Sequence, residues 1–94
     1  MENDNVVSFP DAPTIRGTKH INELIKAHKN GYDTYIAFVV QMSDVKYFTP
    51  HDETDPDFGK ALRKASKKGV NILVLDCIVT ENEIYINKTV PLKL

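Results

Sequence analysis

Residues 55 to 80 constrain the fold most. Asp55-Pro56 opens a helix: the carboxylate can accept from an unpaired first-turn amide, and proline sits where no intrahelical donor is needed. Phe58, Ala61, Leu62 and Ala65 recur at three- and four-residue steps, the period of one helix face. Gly69 is the expected stop. Val70 to Thr80 then runs almost wholly apolar, broken by Asp76. A helix that feeds straight into an apolar strand is half of a strand–helix–strand unit. Tyr32 to Gln41 supplies an earlier strand. It is continuous rather than alternating in its apolar residues, which predicts a strand covered on both faces.

The rest of the chain adds to this unit. Val6 to Phe9 reads as a strand end stopped by Pro10. Thr14 or Thr18 caps a helix with Ile21, Leu24, Ile25 and His28 on one face, and Asn30-Gly31 ends it. Met42 to Thr54 has no period and reads as a loop. Glu81-Asn82 is a hairpin turn, and Glu83 to Val90 returns as a more alternating strand. The expected order is β-α-β-α-β-β. The fold class is therefore α/β, with a partial mixed sheet of about four strands and two helices. Ninety-four residues make one small domain over 1–94. Nothing precedes the opening strand to explain its pairing, so the domain reads as truncated. The open sheet edge this predicts suits a homodimer.

Composition narrows the function. The net charge is −1, so any attraction to nucleic acid must come from a local patch. The one cysteine, Cys77, excludes an internal disulfide and a cysteine-rich zinc site. A reducing, cytoplasmic setting fits. The acidic, polar start is not a signal peptide, and no apolar run is long enough to span a bilayer.

Four polar groups crowd the first helix entrance: Asp11, Thr14, Arg16 and His20. Pro10-Asp11 at a strand end suits a metal-binding carboxylate, and it equally suits a plain turn. Arg16 and His20 share a helix face beside Lys19, where a phosphate or only water could lie. Lys60, Arg63, Lys64 and Lys67 form a basic stripe on the second helix. Such a stripe can neutralise nucleic-acid phosphates without reading sequence, or simply keep the helix soluble. Asp76 would need a partner if buried. Asp44-Val45-Lys46, taken with Asp11, imitates the acid-x-lysine half of a metal nuclease. That chemistry needs a strand, and these residues fall in the aperiodic loop.

Several of these segments also resemble one family. Phe9-Pro10-Asp11-Ala12, Thr14, Arg16-Gly17, Lys19-His20 and Glu23-Leu24 are similar to the hallmark of the sugar fermentation stimulation proteins. So are Phe38-Val39-Val40-Gln41, Phe48-Thr49-Pro50, Asp55-Pro56-Asp57-Phe58 and Gly69-Val70. The resemblance implies an oligonucleotide-binding barrel followed by a C-terminal domain like restriction nucleases of the PD-(D/E)xK class. This chain resembles the last part of that domain. It implies DNA binding and a link to the regulation of sugar (maltose) metabolism. It also implies a half-site with Asp11 as ligand to Mg²⁺ or Mn²⁺, Asp11, His20 and Gln41 lining the catalytic side, and Thr14, Arg16 and Lys19 on phosphate. The family's Glu-Val-Lys-type motif lies before the segment that begins here at Met1. The implied nuclease site is therefore incomplete in this chain, which by itself is expected to be inactive.

Overall fold

A computed structural model describes residues 5–94 and the backbone of residues 2 and 3. The elements, in order, are β1 (Glu2–Asn3), β2 (Val6–Phe9), α1 (Ile15–Lys29), β3 (Tyr35–Val40), β4 (Tyr47–Pro50), α2 (Pro56–Lys68), β5 (Asn71–Val79) and β6 (Ile84–Thr89). The mixed α/β architecture with two helices stands. The strands, however, divide into two three-stranded sheets, ordered β1-β2-β4 and β3-β5-β6.

The second sheet is the scaffold. β3 and β5 run parallel, with Ile36 opposite Ile72 and Phe38 opposite Val74. β6 returns antiparallel to β5, after a turn in which the Thr80 amide donates to the Glu83 carbonyl at 2.8 Å. The smaller sheet holds the main departure from the sequence reading. Tyr47–Pro50, inside the expected loop, is a strand parallel to β2, with Phe48 opposite Val7. Four residues ending in proline give no readable alternation. The strand lies at the sheet's edge, where proline's missing donor is tolerated. Met42 to Lys46 is irregular, as expected: Asp44 has a positive φ and lies 3.6 Å from the Lys88 ammonium, and Val45 is buried.

Both helices form as their caps and stripes dictate. Thr14 is the α1 N-cap, its hydroxyl accepting from the Gly17 amide at 3.0 Å. Asp55 caps α2, Pro56 follows, and Gly69 closes the helix in the left-handed region at φ 96°. A β-carbon is unfavourable in that conformation. Ile21 and Ile25 of α1 pack with Phe58, Ala61, Leu62 and Ala65 of α2 and with Ile36 of β3. A second cluster joins Val45, Phe48, Val74 and Val90. Phe38 packs against both. Its ring stacks on Phe48 at 4.7 Å between centroids, and Phe9 meets Phe58 edge-on at 5.4 Å. Aromatic contact thus ties the small sheet to the helices and to the inner face of β3.

The expectation that β3 is covered on both faces is corrected. Ile36 faces the core, but Tyr35 is 67% exposed and Val39 55%. Across the register, Leu73 of β5 is 40% exposed. The inner and outer side chains alternate as the pleat requires, and only the inner set is buried.

Asp76 is fully buried in β5. Its Oδ1 accepts from the Lys88 amide at 3.0 Å, where the β5–β6 register shifts. The carboxylate thus serves an amide near the broken ladder. Its other oxygen is buried without a hydrogen-bond partner among the described residues.

Candidate nucleic-acid interface

The two helix entrances are bolted together. Asp55, 7% exposed, splits its carboxylate between them. Oδ1 accepts from the Phe58 amide at 3.1 Å in its own helix, and Oδ2 accepts from the Thr14 amide at 2.8 Å at the cap of α1. Gly17 lies against this corner: a β-carbon there would come within 3.2 Å of the Phe58 ring. His51 adds a second tie between the strands that lead in. Its amide donates to the Phe9 carbonyl at 2.8 Å. Its Nδ1 lies 3.2 Å from the Pro10 carbonyl and 2.9 Å from the Thr54 hydroxyl. In the sequence His51 falls within the aperiodic stretch Met42 to Thr54. The repeated pattern of a strand ending in proline before a helix cap was the available signal.

With their starts joined at Asp55, α1 and α2 pack side by side and leave a groove between them. Its first section, about 600 Å³, is lined by Thr14, Thr18, Lys19, Asn22, Glu23 and Lys26 of the α1 side, with Asp55 and Asp57 opposite. The next section, about 310 Å³, shares Thr18, Asn22 and Asp57 and adds Lys60 and Lys64. A further recess takes up Lys64 again, with His28, Lys29 and Lys68. Lysines thus recur along the groove, and they share its first section with three acidic side chains, Glu23, Asp55 and Asp57, the last of which also borders the second section.

The structure sorts the expected site residues. Thr14, Lys19, Lys60 and Lys64 reach this groove. Lys67 is exposed in the last turns of α2, and Arg16 is exposed at the start of α1. His20 does not join Lys19: it borders a separate, mostly apolar recess with Phe9, Gly17, Tyr35 and Phe38. Gln41 is exposed just past the far end of β3. Asp11 is exposed in the bend after β2. Thr14 meets backbone amides and acts as a cap.

Arg63 is drawn out of the basic stripe. Its two terminal nitrogens donate to both oxygens of Asp52 at 2.9 and 2.7 Å, and its Nε donates to the Leu94 carbonyl at 3.3 Å. This fork holds the Asp52 carboxyl below the usual carboxylate range and raises the guanidinium in turn. Gly59 makes room for it, since a β-carbon there would collide with Asp52 Oδ1.

Among the described residues, no three His, Cys, Asp or Glu side chains converge to hold a metal ion. Asp11 would therefore need ligands from outside the described residues. No helix of the described residues is long and apolar enough to cross a membrane.

Known proteins carry the same pattern. The family model described as "Sugar fermentation stimulation protein RE domain" matches residues 1–83. The chain belongs to the sugar fermentation stimulation protein family. Curated relatives named sugar fermentation stimulation protein homolog agree. That of Ruminiclostridium cellulolyticum is 51% identical over all 94 residues, and that of Clostridium beijerinckii 49%. The chain covers 42% of each, so it spans about two fifths of the length of the family members it matches. A solved family structure, SfsA of Pyrococcus furiosus in complex with Ca²⁺, superposes on the whole chain with a TM-score of 0.91 at 28% identity, again over 41% of its length.

Proposed function

We propose that this chain supplies a DNA-contacting surface to a cytoplasmic protein of the sugar fermentation stimulation family, one that acts in the regulation of sugar (maltose) metabolism. The observation that carries the reading is the run of lysines along the α1–α2 groove. Lys60 and Lys64 stand across it from Thr18 and Asn22, and Lys19 and Lys26 extend it. Ammonium groups spaced along a groove contact successive phosphates and carry little sequence information. The contact is therefore with the backbone, and base selection belongs elsewhere.

The test is fluorescence anisotropy with a labelled duplex of about 20 base pairs. Binding should weaken steeply with salt, with a log–log slope of about −2 to −4, as a few released counterions require. Lys60→Glu with Lys64→Glu should reduce affinity at least ~10-fold while the circular dichroism spectrum stays unchanged. Binding that ignores both changes removes the groove from the account.

One observation favours a second reading, metal-dependent phosphodiester cleavage by the whole family protein. The Pyrococcus furiosus relative was solved with Ca²⁺. The described residues do not by themselves make a metal site. Under this reading Asp11 contributes one ligand to Mg²⁺ or Mn²⁺, and the others come from the part of the family protein outside this chain. Mn²⁺ binding by calorimetry, compared between the full-length Ruminiclostridium cellulolyticum relative and its variant with the residue that corresponds to Asp11 changed to alanine, is the check. An unchanged isotherm takes the ligand role from Asp11.

A further inference from the structure

Where α1 and α2 end, their last turns frame a recess of about 290 Å³. Lys29 enters it from α1, Lys64 and Lys68 from α2, and Ile25 and His28 complete the lining. The earlier sections of the groove mix lysines with acids, but no carboxylate lines this one. None of the three ammonium groups has an ion-pair partner among the described residues. Positive charge is thus concentrated here in a chain whose net charge is −1.

Lysines in last turns ordinarily answer bare helix-end carbonyls. Here backbone amides serve several of those carbonyls already. In α1 the Ala27 carbonyl accepts from the Asn30 and Tyr32 amides, and that of His28 from Gly31. In α2 the Ala65 carbonyl accepts from Val70, and that of Ser66 from Gly69. Like charges four positions apart, as Lys64 and Lys68 are, repel across a helix face. Lys29 brings a third to the same recess. The cluster therefore costs stability unless an anion fills it. His28 is unanswered in a second way. Its Nδ1 is buried with no hydrogen-bond partner among the described residues. A β-carbon on Gly69 would come within 2.9 Å of its Nε2, so the ring lies tight against the stop of α2.

We propose that this recess binds a phosphomonoester, the end group of a phosphorylated small molecule or of a DNA strand. Lys29, Lys64 and Lys68 donate to its terminal oxygens, and the His28 ring, turned towards the recess, adds a further donor. A phosphomonoester carries about two negative charges at neutral pH and three acceptor oxygens, whereas a backbone phosphodiester carries one charge. Three ammonium groups in one recess suit the dianion. Ile25 gives an apolar wall, and charges beside a low-dielectric wall act through less water. The inference does not depend on the DNA-contacting groove. Lys64 belongs to both, so the test turns on Lys29 and Lys68.

The probe is phenyl phosphate, with dimethyl phosphate as the singly charged control, titrated by calorimetry at fixed ionic strength. The protein is the full-length Ruminiclostridium cellulolyticum relative with its matching 94 residues replaced by this chain, and the chain alone is run beside it. Phenyl phosphate should bind at least ~10-fold more tightly than dimethyl phosphate. Lys29→Gln with Lys68→Gln should weaken phenyl phosphate at least ~10-fold, with circular dichroism unchanged. Lys46→Gln, outside the recess, should leave its affinity within ~2-fold. The ring nitrogen NMR signals of His28 should shift along the same titration. Equal affinity for the two probes, no binding to a protein shown to be folded, indifference to the double change or unmoved His28 signals each overturn the inference. Competition then identifies the source. A duplex with 5′-phosphates that displaces phenyl phosphate at least ~10-fold better than the same duplex without them assigns the recess to DNA ends. A duplex whose end phosphates make no difference assigns it to a small phosphorylated molecule.

Discussion

The two faces of the β3–β5 pair share a composition and differ in fate. On the inner face α1, α2 and the small sheet bring Ile21, Leu62, Phe48 and Phe58 against it. On the outer face comparable side chains meet water. Apolar patterning therefore records what a strand is built to pack against, whether or not this chain carries it. A reading that equates an apolar strand with a buried one holds for half of this sheet.

The contrast can be broken by substitution. Leu62, fully buried between the helices, should cost about 2–5 kcal/mol when changed to Ala, read by urea denaturation. Val39→Thr on the bare face should stay within about 0.5 kcal/mol in the same measurement. A large loss at Val39 would show that the outer face is packed after all. Asp55→Ala comes next, at about 2–3 kcal/mol, because it strips acceptors from two helix starts at once. Asp55→Asn can keep only one of those acceptors and should lose about half as much.

A small effect belongs to the exposed fork of Asp52 and Arg63. Its carboxyl titrates lower in the folded chain than in the unfolded one, so its contribution is present above the ordinary carboxylate range and fades as pH falls through the lower folded value. Asp52→Asn should cost less than about 1 kcal/mol at pH 7. The difference from the parent should vanish on acidification. A difference that persists at low pH would assign the loss to packing instead of charge.

What the sequence revealed follows from the range of the interactions. The α2 limits were legible at Asp55, Pro56 and Gly69, since caps and stops act within one turn. Thr14 and Asn30 bounded α1 for the same reason. The division into two sheets was not legible, because β2 finds β4 across some forty residues and β4 is too short to show a period. Arg63 looked like one member of a basic stripe until Asp52, eleven positions earlier, folded over Gly59 to meet it. Lys19 and His20 are neighbours in sequence, but successive helix positions point about 100° apart and these two open on different recesses. Asp11 and Gln41, matched by resemblance, lie on exposed turns at separate strand ends.

The carboxylate of Asp55 reaches across forty-one positions to the Thr14 amide. Neither helix can fray at its start without releasing the other, so the two entrances form a single cooperative unit in which local opening is shared. A residue that looked like an ordinary cap acts as a latch, and a replacement with no acceptor there would let the two entrances open independently while the shared core still holds the helices together.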